Sequence, residues 1–118
     1  MSERKAKVEE LIKQELSQMI LNEVKDPRVG FVTVTDVKMT PDLRAATAFV
    51  SIMGNETKRK DSLKGLESAL PFFKRELAKR IRLRYMPTLA FELDTTLDYS
   101  EHIQELLLKV ERGEEIDN

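Results

Sequence analysis

Pro71 sits inside a run of apolar residues, Leu66, Leu70, Phe73, Leu77 and Ile81, that otherwise keeps close to one helical phase. Spacing by threes and fours predicts a helix. A proline in a helix interior removes a backbone donor and crowds the preceding turn, at about 3 kcal/mol. One straight helix is therefore excluded, and two helices meeting at a kink are predicted. The first spans residues 57–69, with Leu63, Leu66 and Leu70 facing inward. The second belongs to the stretch 69–87, ALPFFKRELAKRIRLRYMP, closed by a second proline, Pro87. Its apolar face carries Phe73, Leu77 and Ile81, with Ala78 and Tyr85 beside them. Phe72 and Leu83 point elsewhere, so this helix is expected to touch neighbours on two sides.

The same stretch concentrates positive charge. Residues 72–85 hold six basic side chains, Lys74, Arg75, Lys79, Arg80, Arg82 and Arg84, against the single acid Glu76, a local net of +5 in a chain of net −1. At about 100° per residue, Arg75, Lys79 and Arg82 share one face of a helix. A helix built only for solubility mixes signs, with Glu placed before Lys or Arg by one turn. Here Glu76 can pair only with Lys79 or Arg80. Unpaired guanidinium groups repel one another and offer planar forks suited to phosphate. The bland reading is a solvated face; the sharper one is a surface for a polyanion.

The remaining pattern mixes helices and strands. Residues 3–24 form an amphipathic helix on Val8, Leu11, Ile12, Leu16, Met19, Ile20 and Val24, capped by Ser2 and stopped at Asp26-Pro27. Its basic first turn, Arg4, Lys5 and Lys7, opposes the helix dipole and reads first as a solvated end. Residues 31–39 and 44–53 are strands joined at Thr40-Pro41-Asp42. In the first strand, parity changes between Val32, Val34 and Val37, Met39, which calls for a bulge near Thr35-Asp36. A third strand at 88–94 puts Leu89, Phe91 and Leu93 on one face. Asp98 and Glu101 resemble a capping box for a last helix on Ile103, Leu106, Leu107 and Val110. The expected organisation is one domain over 1–113 with a disordered acidic tail, 114–118.

Several classes of chemistry are not expected. There is no cysteine, so disulfides and thiolate metal sites are out. The single histidine, His102, has no second histidine to share a metal. No glycine-rich phosphate loop occurs among the four glycines. No apolar run approaches the roughly 18 residues of a membrane span, and the N-terminal stretch lacks a signal core. The expectation is a cytoplasmic, monomeric binding protein with no catalytic residues, cofactor, metal or small-molecule substrate.

The order helix–strand–strand–helix–helix–strand is that of a KH-like RNA-binding domain of the second topological type. The blocks DPRVGFVTVTDVKMTPD and FFKRELAKRIRLRYMPTLAFELD, with the spacing between them, resemble the ribosome-binding factor A family over nearly the whole chain. The resemblance implies an α+β fold, with a three-stranded mixed sheet, helices packed on one face, and a C-terminal helix. It implies a bacterial factor that binds free or immature 30S subunits and assists maturation of the 5′ region of 16S rRNA, with a link to growth in the cold. Members carry Ala-x-Gly at the helix kink. The matching residues here are Ala69, Leu70 and Pro71, so the glycine is replaced by a proline, which offers no N–H to a ligand. The basic residues beyond the kink would supply phosphate attraction. A generic KH-like RNA-binding module and a protein-interaction adaptor using the basic helix remain as alternatives. The predicted core is Val8, Leu11, Leu16, Ile20, Val50, Leu66, Phe73, Leu77, Phe91 and Leu107.

Overall fold

The computed structural model describes residues 3–95. Among them the elements run α1 (Glu3–Asn22), β1 (Val32–Met39), β2 (Ala45–Ile52), α2 (Glu56–Ser68), α3 (Leu70–Arg80) and β3 (Thr88–Leu93). The sheet order is β1-β2-β3, with β1 and β2 antiparallel and β2 and β3 parallel. This is the predicted α+β arrangement with a mixed sheet. The last helix, His102, Leu107, the acidic tail and the Ser2 cap lie outside the described residues.

The parity change in β1 is resolved by a bulge. Val34 pairs with Val50 and Asp36 with Phe49, which leaves Thr35 as the extra residue. Its hydroxyl donates to Asp94 Oδ2 at 2.6 Å, with the Phe49 carbonyl an alternative acceptor at 3.2 Å. Val34, Val37 and Met39 can then all face the helices, where each is buried. Alternation continues through Ala46, Ala48, Val50 and Ile52 of β2 and through Leu89 and Phe91 of β3, all buried. The opposite residues of those two strands are half-buried or exposed. One sheet face is thus the core face.

On α1 the buried stripe is Val8, Ile12, Leu16, Met19 and Ile20. Leu11, expected in the core, is 45% exposed. Its Cβ lies about 100° around the helix from the row 8, 12, 16, and Ile12 fills that place instead. The helix ends two residues early, at Asn22, where the amides of Glu23 and Val24 both donate to the Met19 carbonyl. Phe73 is fully buried and meets Phe91 edge-on, with ring centroids 5.5 Å apart.

Two turns fix the scaffold. After β1, Thr40 Oγ1 donates to Asp42 Oδ1 at 2.6 Å, and the Leu43 amide donates to the Thr40 carbonyl at 2.9 Å. Leu43 takes φ 60°, a left-handed conformation uncommon for a bulky residue. After β2, Gly54 adopts φ 126°, and Asn55 caps α2 by accepting from the Lys58 amide at 2.9 Å. α2 is pinned to the segment before β1 through the fully buried Ser62. Its hydroxyl donates to the Arg28 carbonyl at 3.0 Å and accepts from the Gly30 amide at 3.1 Å.

Candidate nucleic-acid interface

The two helices meet at a kink, and the break falls on Ala69. Ala69 has φ −89° and ψ 0°, at once the C-cap of α2 and the N-cap of α3. Its amide is shared between the carbonyls of Gly65 and Leu66, and its own carbonyl accepts from Phe73. Leu70 is the first residue of α3, and Pro71 lies in its first turn. There the missing N–H costs nothing, since first-turn amides have no helical acceptor of their own.

α3 is shorter than predicted. It stops at Arg80, and Ile81 turns to extended backbone, φ −124° and ψ 127°. From there Ile81 is buried and Leu83 half-buried, while Arg82 and Arg84 are exposed. That alternation by twos belongs to extended chain. Arg82 therefore does not join Arg75 and Lys79 on one helix face, and Arg84 also lies outside the helix. Ala78 and Tyr85, expected beside the apolar face, are exposed.

The six predicted basic residues divide into three groups. Arg75 and Lys79 are exposed on α3 one turn apart, and Lys74, half-buried, precedes them. Lys79 also meets Glu76 at 3.2 Å. That pairing, with Arg80 close by, holds the Glu76 carboxyl below its usual range. Arg80 is committed elsewhere. It bridges to Glu23 at 2.9 Å, Glu76 at 3.3 Å and Glu15 at 3.4 Å, joining α3 to α1. The hydrogen bond to Glu23 is the main cause raising its pKa further. Arg80 is therefore a strut between helices.

Arg82 and Arg84 form the third group, on the segment leading into β3. Arg84 joins a cleft of about 250 Å³ that sequence reasoning missed, lined by Arg4, Asp42, Leu43, Arg44, Leu83, Arg84 and Tyr85. The parallel register brings these residues together. Ala45 pairs with Thr88, so the residues just before β2 and just before β3 become neighbours. The Thr88 amide donates to the Arg44 carbonyl at 2.9 Å. A prediction that pairs these strands in parallel carries that adjacency implicitly, once the start of each strand is aligned.

Near the kink, Arg28 forms a two-pronged ion pair with Asp26, down to 2.6 Å, and donates to Ser68 Oγ at 3.1 Å. The Arg28 hydrogen bonds hold the Asp26 carboxyl at about 2, below its ordinary 3.8. Among the described residues no group of His, Cys, Asp and Glu is arranged to hold a metal ion, and no helix is long and apolar enough to cross a membrane.

Residues 4–107 match the family described as ribosome-binding factor A. The chain is 46% identical over 112 residues to the ribosome-binding factor A of Natranaerobius thermophilus, spanning 95% of this chain and 86% of that protein. Its fold superposes on the crystal structure of ribosome-binding factor A from Thermus thermophilus with TM-score 0.68 and 29% identity, covering 75% of this chain and 93% of the other. A second match is a homology model of the Thermus thermophilus factor as fitted into the cryo-EM map of its complex with 30S, with TM-score 0.65 and 28% identity over 77% of this chain and 96% of that one. With the kinked helix pair, the mixed sheet and these matches in agreement, the chain belongs to the ribosome-binding factor A family.

Proposed function

We propose that this protein binds the small ribosomal subunit through 16S rRNA and assists late maturation of the 30S particle, including processing of the 5′ region of that RNA. The observation that carries the reading is the likeness, over most of both chains, to a family member fitted into a 30S complex. The exposed cations Arg75 and Lys79, with Arg82 beyond them, supply the charge such a partner requires. Contacts of this kind position a protein on phosphate backbone and read little sequence. The kink at Ala69, Leu70 and Pro71 sets the direction in which α3 presents its cations. The protein acts as a cytoplasmic monomer, and as a binding factor rather than an enzyme, with no cofactor.

Co-sedimentation tests this. The protein is expected to travel with free 30S subunits and not with assembled 70S ribosomes, and its depletion in the source bacterium is expected to leave 16S rRNA with unprocessed 5′ ends. Indifferent binding to any RNA supports a generic RNA-binding module instead. Absence of RNA affinity supports a protein adaptor.

A further inference from the structure

The cleft beside Tyr85 has the composition of a stacking site, and it lies at the far end of α3 from the kink. The 11 residues of α3 separate the two, roughly 16 Å of helix. Tyr85 is 54% exposed. The Arg44 guanidinium lies 4.6 Å from the ring centroid and that of Arg84 5.6 Å from it. Arg4 completes the basic lining, and Leu43 and Leu83 supply an apolar wall.

Arg4, Arg44 and Arg84 form no ion pair with a carboxylate among the described residues. The acid of the lining, Asp42, is engaged mainly by the hairpin turn, with a lesser Coulombic pull from Arg44. It accepts from the Thr40 hydroxyl at 2.6 Å and from the Arg44 amide at 3.1 Å, and these bonds hold its carboxyl below the usual range. The walls are also set in place by backbone. The Arg44 carbonyl accepts from both the amide and the hydroxyl of Thr88. Leu43 is fixed in its left-handed conformation by the turn.

We propose that this cleft is a second RNA contact that takes one unpaired nucleotide, its phosphate on the arginines and its base against the Tyr85 ring and the Leu43–Leu83 wall. The proposal rests on the reading that the chain binds rRNA. Guanidinium planes and an aromatic ring are the stacking surfaces on which single-stranded bases are held. Acidic peptides need the cations but leave an exposed ring and an apolar wall unused. A duplex presents phosphate alone and cannot bring a base into a recess of this size.

Titration of the full-length ¹⁵N-labelled protein with a short oligouridylate, a base-paired RNA of equal length, and oligoglutamate tests the assignment. Oligouridylate is expected to shift the amides of Leu43, Arg44, Arg84 and Tyr85, and the other two to shift them weakly. Tyr85→Leu should weaken oligouridylate binding about tenfold, the scale of one lost base stack. Arg44→Lys, which keeps the charge and loses the planar fork, should weaken it as well, with both variants retaining the wild-type dispersion of signals. Shifts confined to Arg75 and Lys79, unchanged affinity in Tyr85→Leu, or equal response to oligoglutamate would each overturn the proposal, the last in favour of an acidic protein partner. The cleft stands if oligouridylate binds there while 30S subunits do not bind at all, which removes the functional reading alone. If subunits bind and the cleft amides stay silent, the cleft fails alone.

Discussion

Arg80 on α3 donates to Glu23 at the end of α1 at 2.9 Å, across 57 positions of sequence. Counted as charge, Arg80 belongs to the basic run; by geometry it belongs to the junction of the two helices. Arg80→Ala is therefore expected to lower the urea midpoint slightly while changing subunit affinity by no more than about twofold, since a paired cation adds little field beyond its acids. A large loss of binding with unchanged stability, measured on the same preparation, would return Arg80 to the interface.

The kink supplies a charge-neutral test. Ala69 breaks the helix with ψ near 0°, and Pro71 withholds an amide in the turn that follows. Pro71→Ala restores that amide and a strong helix former. It should fuse α2 and α3 in part, leave stability equal or raised, and weaken subunit binding. Pro71→Gly should bind nearly as the wild type does, because glycine also favours a break. NMR chemical shifts at 68–72 report the fusion, and equal binding by a fused Ala variant would show kink geometry to be irrelevant.

Acid should loosen the segment before β1 only at low pH. The Asp26 carboxyl titrates at about 2, below its ordinary 3.8. A lowered carboxylate pKa contributes stability that is complete above 3.8 and is lost as pH falls through about 2. Carboxyl ¹³C titration should place the Asp26 midpoint near 2. Asp26→Asn should speed amide exchange at Arg28 and Gly30 at neutral pH, since it cuts the ion pair to Arg28. A midpoint near 3.8 would mean that the pair does not persist in solution.

Much of this molecule is legible in its residues. The bulge at Thr35 follows from the parity change between Val34 and Val37, because only an extra residue lets both reach one face. The helix break follows from Pro71 in a continuing apolar phase. The end of α3 is ambiguous in sequence because Ile81 suits a helix of period four as well as an extended chain of period two. Leu83 decides between them: it packs on the Ile81 side, which the alternation Ile-Arg-Leu-Arg permits and a helix does not. Leu11 and Ile12 are adjacent apolar residues, and only the position of the sheet selects Ile12. The ties of Arg80 to Glu15 and Glu23, and the meeting of Arg44 with Tyr85, span too much sequence to follow from local pattern. They depend on helix packing and on strand register.

The most direct test of the account is the salt dependence of 30S binding for the wild type and for a variant with Arg75, Lys79 and Arg82 all changed to Ala. Each phosphate contact contributes about 0.9 to the slope of log affinity against log salt on a duplex and about 0.7 on single strands. Loss of three should weaken binding strongly and flatten the slope by about 2 to 3. Circular dichroism should remain unchanged, because all three side chains are exposed. Wild-type affinity and slope in a folded triple variant would contradict the account and reduce the basic run to a solvated surface.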